Sequence, residues 1–468
     1  MFLSTPERAE FYRFLELLYN RVGWFSSRNG GKACHEVPGL FVHPAQNPVI
    51  LPQFSMQYDR YFTNFRGHAM KFAGIIAEYD PFHNGHAWQL AQAKALGAER
   101  VAVAMSCSLV QRGALPLLPE AVRTRSALTC GADLVFALPA PCACAGAEAF
   151  ARAGVALLAA AGCDGLVFGA ETPDAALLME AAELLDSDSY RAALKAQLAG
   201  GARSFAAARQ AAAAKLASDE RVAALLDKPN NNLAVEYCRA IRSLAPRMEA
   251  YPLPRQGANH GEALHSAHGQ FASASALRKL WAEGGADAVA PYVPEAVFPL
   301  YQEAYAAGQY TDFSAAGRCE LALLRSACRG KAPFADIRGV SEGLEHRLEA
   351  AVRTSTTYDE LLDALTTVRY PRARMRRLAM DAALGCTADS LPALPPYLHL
   401  LGGKKDALPL LKNCTLPVSH SLARLRGSGC ASARMAEAQL AAADFGTLCR
   451  VSPEAMGGLL RQKNIFLT

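Results

Sequence analysis

Residues 72–86 read FAGIIAEYDPFHNGH, and this stretch decides the fold. FAGIIAEY is a short apolar run of the kind that forms a strand buried on both faces. GHAWQLAQAKALG, from Gly85 onward, is helical, so Asp80-Pro81-Phe82-His83-Asn84-Gly85-His86 is the turn that leaves the strand and opens the helix. In an open parallel sheet that turn borders the ligand crevice.

Downstream the same alternation continues: RVAVAMS, EAVRTRSALTCG, DLVFALP, AEAFARAGVALLAAAG and DGLVFGAE. β-α-β-α-β-α-β follows, with crossover helices covering both faces, and the class is α/β with a doubly wound parallel sheet. Residues 174–245 are Ala-rich and helical, with KPNN at 228–231 as a break before a helix over 232–244. One more strand is expected over 248–253. From about 282 to 400 the chain reads as mainly helical, and the tail from 403 as short mixed elements with Gly and Pro. Upstream, residues 1–69 hold Trp24, Phe25, Phe41, Phe54, Phe62 and Phe65 without a steady period. They read as an extension or a misassigned start, with a genuine accessory domain as the alternative. The expected divisions are 1–69, a nucleotide-binding domain over 70–285, a helical region over 286–400 and a C-terminal region over 401–468.

The 468 residues, 51% hydrophobic and 19% charged, suffice for a full core. A formal charge of +5 is too small to argue for a nucleic-acid partner by itself, so such a partner has to be read from a local basic patch. Thirteen cysteines without a CxxC pair point to reduced, buried thiols rather than zinc or disulfides. No signal-peptide pattern and no uninterrupted apolar span is present, and a cytoplasmic protein with no membrane partner is expected.

Two imidazoles flanking Gly85 at a helix N-terminus suit a polyphosphate: the helix supplies N–H donors and partial positive charge, and His83 and His86 donate to phosphate oxygens. The matching chemistry is displacement at the α-phosphate of a nucleotide. An incidental histidine pair is the bland alternative; a metal site lacks a third ligand at matching spacing, so no metal is expected to be held by the protein. Ser273-Ala274-Ser275-Ala276-Leu277-Arg278 is a second phosphate-type signature, although alone it is equally an ordinary helix cap. Val368–Arg377, VRYPRARMRR, gathers Arg369, Arg372, Arg374, Arg376 and Arg377 around Tyr370, with Lys404 and Lys405 further on. It reads either as a solvated basic helix start or as an RNA surface in which arginines take phosphates and Tyr370 stacks.

The ordered blocks GIIAEYDPFHNGH, MSCSLVQRG, GADLVFALP, FGAE, KPNNNLAVEY, SASALR, GLEHRL and VRYPRARMRR, from about residue 71 to about 411, resemble the tRNA(Met) cytidine acetate ligase family. The resemblance implies an HxGH nucleotidyltransferase-like fold with a helical tRNA-binding part. It implies an ATP-dependent ligase that forms acetyl-adenylate and acetylates N4 of the wobble cytidine of elongator tRNA(Met). ATP, accompanied by Mg2+, acetate and tRNA are the expected substrates and partners. His83, His86 and Arg278 are the implied catalytic residues. The implied ATP site runs through Ile76, Ala77, Glu78, Tyr79, Asp80, Pro81, Phe82, His83, Asn84, Gly85, His86, Ala87, Trp88 and Gln89. Gly169, Asn232, Arg255, Gln256, Ser275 and Arg278 join it. Gly169 would let adenosine approach a strand end, and Asn232 would bond base or ribose.

Departures from the family pattern are also visible. Gln111-Arg112-Gly113 leads into Ala114-Leu115-Pro116-Leu117-Leu118-Pro119-Glu120, where the family carries an Asp-Lys pair, and Asp80 stands where the family has Asn. The lost positive charge leaves Arg112, Arg123 or Arg125 as substitutes. It also keeps two other readings open: a small-molecule adenylyl- or cytidylyltransferase, and a catalytically weakened RNA-binding member.

Overall fold

The computed structural model describes residues 70–202, 204–254, 271–330, 332–461 and 465–467. Residues 1–69 lie outside the described residues, as do Arg255 and Gln256. The expected strands form as β1 (Phe72–Ala77), β2 (Arg100–Ser106), β3 (Leu134–Leu138), β4 (Gly165–Ala170) and β5 (Glu249–Pro254). They join in the order β5-β4-β1-β2-β3, all parallel. Alternate side chains enter two cores. Phe72, Ala102, Ala104, Leu134, Phe136, Leu166 and Phe168 face one side. Ala73, Ile75, Val101, Val103, Met105, Val135 and Val167 face the other. With both faces apolar, no strand can show the polar alternation of a half-exposed sheet.

Helices α1 (Asn84–Ala95), α2 (Glu120–Thr129), α3 (Ala147–Ala160), α4 (Ala175–Asp186) and α5 (Pro229–Leu244) supply the crossovers. Through Leu90, Ala127 and Leu128, α1 and α2 cover one face. Through Phe150, Leu158, Leu177 and Val235, α3, α4 and α5 cover the other. The expected break at KPNN is instead the first turn of α5, with Pro229 in the opening positions where its missing N–H costs nothing. The chain winds β1-β2-β3 in one direction and β4-β5 in the other, so the switch point lies between β1 and β4. Their ladder holds only Ala73↔Gly165 and Gly74↔Leu166, whereas β1 and β2 stay paired from Phe72↔Arg100 to Ala77↔Met105. β1 and β4 therefore lose contact toward their C-terminal ends, and a crevice opens there.

Beyond α6 (Ala274–Gly284) and α7 (Phe298–Ala306) the helical region contains α8 (Phe313–Ala327), α9 (Leu344–Thr354), α10 (Tyr358–Leu365) and α11 (Arg372–Ala383). Leu324, Phe334, Leu348, Leu362, Met375 and Leu378 give it a core of its own. Val297 and Tyr301 of the α7 segment, in contrast, pack with the sheet core. The expected boundary at 400/401 falls inside a strand: β6 (Leu398–Lys404) adds antiparallel to β3, and β7 (Val418–Ser419) and β8 (Ile465–Leu467) pair with β6. The C-terminal region thus completes the sheet. Its tail also contains α12 (Cys430–Leu448), a long helix that the sequence hides because small residues on every side blur its apolar stripe.

Among the described residues no helix is long and apolar enough to cross a membrane. The described cysteines are unpaired, and most are buried.

Candidate active site

The histidine motif lies at the C-terminal end of β1, beside the crevice. His83 caps α1: its Nδ1 accepts from the Gly85 N–H at 3.0 Å, and His86 Nδ1 accepts from the His83 N–H at 3.3 Å. With both Nδ1 atoms accepting, each neutral ring carries its proton on Nε2, the donor form a phosphate requires. The rings stack with centroids 3.7 Å apart. The need for Gly85 is specific. A Cβ there would lie 2.9 Å from His83 Cε1, so the missing side chain leaves room for the imidazole to fold over the helix terminus. Tyr79 and Phe82, both buried, back His86, the first edge-on and the second tilted, and Tyr301 Oη donates to the Phe82 carbonyl at 2.7 Å.

Asp80 is the hub of the site. It is 1% exposed, pairs with Arg112, lies 3.3 Å from Arg278 Nη1, and accepts from the Leu117 N–H at 2.6 Å. Burial alone would raise its pKa, but Arg112, Arg278 and the Leu117 hydrogen bond outweigh it and hold the carboxyl below its ordinary value. Arg278 Nη1 also donates to the Asp80 backbone carbonyl. The structure therefore brings the two sequence constellations together, because Arg278 reaches from α6 to the turn that carries the histidines. Ser273 caps α6, accepting from the Ala276 N–H at 3.3 Å, and its hydroxyl lies 3.0 Å from that of Ser275. Sequence reasoning saw the replacement of Asn by Asp80 but not its two arginine partners.

Several of the remaining residues of the expected ATP site have structural partners of their own. Both Asn232 donor contacts are taken by the Leu226 and Lys228 carbonyls, at 2.7 and 3.0 Å, so a nucleotide could meet that amide only through its oxygen. Glu171 of FGAE is occupied in accepting from the backbone N–H groups of Asn230 and Asn231 at the start of α5. Gly169 is exposed, and a Cβ there would meet nothing within 4 Å, which leaves space at the end of β4. Gln89 ties α1 to β4 through the Val167 carbonyl at 3.2 Å, Ile76 packs on Gly154, and Asn84 lies 3.4 Å from the Pro291 carbonyl.

Of the substitutes for the missing lysine, Arg123 is unavailable. It is fully buried and donates to the carbonyls of Leu118, Glu78, Ser106 and Cys107, fastening the ends of β1 and β2. Arg125 is exposed. Arg112 lies at the site, between Asp80 and Glu78.

The basic segment divides as well. Tyr370 is 9% exposed, with Arg369 and Arg374 over its ring and its hydroxyl donating to Glu342 at 2.7 Å, so no face is left for a base to stack on. Arg369 pairs with Glu342, and Arg372 with Asp359 and Asp363. Arg377 donates to the Gln111 carbonyl at 3.1 Å, which docks α11 on the loop after β2. Lys404 is drawn to Asp133 at 3.3 Å. No group of three or more His, Cys, Asp or Glu among the described residues could hold a metal ion.

The HIGH Nucleotidyl Transferase family model matches residues 70–453. A tRNA(Met) cytidine acetate ligase of Acetivibrio thermocellus is 31% identical over 405 residues, covering 82% of this chain and 96% of the relative. One of Syntrophotalea carbinolica is 35% identical over 367 residues, covering 76% and 86%. Thermotoga maritima TmcAL bound with alpha-thio ATP superposes with a TM-score of 0.77 at 25% identity, over 85% of this chain and 100% of that one. Its apo form gives 0.78 at 27% identity with the same coverage.

Proposed function

The chain belongs to the tRNA(Met) cytidine acetate ligase family of HIGH nucleotidyl transferases, and we propose from that premise that it activates acetate with ATP and acetylates N4 of the wobble cytidine of elongator tRNA(Met). An acetate oxygen bonds to the α-phosphorus while the bond to the bridging oxygen of pyrophosphate breaks. The cytidine amine then attacks the acetyl carbonyl, AMP leaves, and N4 gives up a proton.

One observation carries this reading: the paired imidazoles, the first turn of α1 and Arg278 converge at the mouth of the β1/β4 crevice. His83 and His86, through Nε2, would stabilise charge growing on the α-phosphate oxygens, where fixed donors act without reorganising. Arg278 would serve the outer phosphates once they compete with Asp80 for it. Ser275 and the open end of β4 at Gly169 would flank the nucleotide, and a Mg2+ ion arriving with ATP would supply charge neutralisation for the leaving pyrophosphate. tRNA would approach α11, with the exposed Arg369 and its neighbours Arg372 and Arg374 as its phosphate contacts.

Acetate-dependent exchange of labelled pyrophosphate into ATP tests the first half-reaction, and loss of about a hundredfold or more in His86→Ala is expected. Well-folded protein without exchange would sink the proposal. Nucleotide transfer to a phosphorylated alcohol would favour a small-molecule transferase instead.

A further inference from the structure

Four of the five arginines in Val368–Arg377 have partners: Arg369 with Glu342, Arg372 with two aspartates, Arg374 with Ser341 and the Tyr370 ring, and Arg377 with the Gln111 carbonyl. Arg376 has no hydrogen bond or ion pair among the described residues, although it is half-buried. Its position is tightly defined. A Cβ on Gly113 would lie 2.9 Å from Arg376 Cβ and 2.6 Å from the Arg377 nitrogen, so α11 rests directly on the loop that carries Arg112. Its charge is felt at Arg278, whose guanidinium is lowered first by burial and further by Arg112 and Arg376. The buried carboxyl of Glu320 also feels the Arg376 charge; burial pushes it up to about 8, against the Tyr358 hydrogen bond and Arg376.

Arg112 and Arg278 thus face Glu78 and Asp80 at the cleft, and Arg376 lies near enough for its charge to act on Arg278. Burial raises the pKa of Glu78, against the opposing charges of Arg112 and Arg278. Arg376, partly covered and with no protein partner for its guanidinium among the described residues, leaves that charge available to an anion.

We infer that Arg376 is a ligand of the nucleotide's outer phosphates, supplied by the helical region, which holds the pyrophosphate as it leaves. The inference rests on the ATP reading above. An RNA phosphate is the less suited anion, because Arg376 is partly covered by the Gly113 loop and shares its field with Arg278, whereas Arg369 is the outward-facing member of the row. Arg376 thus brings a cation to the QRG loop from a different element.

The test uses the full chain with Arg376→Gln and Arg376→Lys, in acetate-dependent pyrophosphate exchange without tRNA. Arg376→Gln should lower kcat/KM for ATP by about tenfold to a hundredfold, the range for losing one charge-assisted hydrogen bond. Arg376→Lys should recover part of that loss. tRNA retention on filters at several salt concentrations should match the unsubstituted protein in affinity and salt slope. Unchanged exchange with weakened tRNA retention would overturn the inference and make Arg376 an RNA contact. If the unsubstituted protein shows no exchange, the acetate reading fails and equilibrium binding of labelled ATP decides the matter: weaker binding by Arg376→Gln supports the ligand role, and equal binding rejects it. Circular dichroism identifies a variant that has not folded, and the other variant is then read.

Discussion

Glu120 opens α2 with both carboxylate oxygens buried and without a hydrogen-bond partner among the described residues. Burial pushes its pKa from 4.5 up to about 7, against the opposing charges of Arg123 and Arg450. An unfolded chain releases this proton near 4.5 while the folded chain keeps it to about 7. Within that window the folded state binds more protons, so stability falls as pH rises and levels off above it. At about 1.4 kcal/mol per pH unit, a span from 4.5 to about 7 amounts to about 3 kcal/mol. Glu120→Gln removes the titration. Near pH 5 variant and parent both bury a neutral group and should unfold at similar urea midpoints. Near pH 8 the variant should be more stable by about 3 kcal/mol. Glu320 also titrates in both proteins, so the difference between their curves isolates Glu120. Curves that remain parallel from pH 5 to 8 would refute the reasoning.

Gly85→Ala should displace the His83 ring, because the new Cβ would lie 2.9 Å from Cε1; about a hundredfold loss of pyrophosphate exchange is expected from misplacement on this scale, with little change in melting temperature. A variant with parent-like exchange would contradict the role given to that contact. Asp80→Asn removes the charge facing Arg112 and Arg278 and should cost about 3–5 kcal/mol of stability. ATP should then raise the melting temperature of the variant more than that of the parent, since the freed guanidiniums take phosphate; equal shifts would count against the hub.

The strands were legible because burial on both faces leaves short, uninterrupted apolar runs, and the histidine turn because its spacing fits a helix start. What escaped depends on distance along the chain. Asp80 meets Arg112 and Arg278 from 32 and 198 residues away, and no local pattern records either meeting. Arg123 looks like a spare cation in sequence, yet four carbonyls consume it. Tyr370 beside arginines suggests a stacking face, and those same arginines cover it. β6 was missed because LHLLGGK is too short to separate strand from helix without its neighbour β3.

That strand also constrains how the protein is made. β3 is synthesised early and buried throughout, but its outer edge is covered by β6, which follows more than half the chain later. Until β6 arrives, a nascent chain carries an unpaired, wholly apolar edge open to any passing strand. The helical region emerges during that interval, and Arg338 on it bonds the Pro141 and Cys144 carbonyls just beyond β3. Closure of the β3 edge is thus left to a strand from a distant part of the chain.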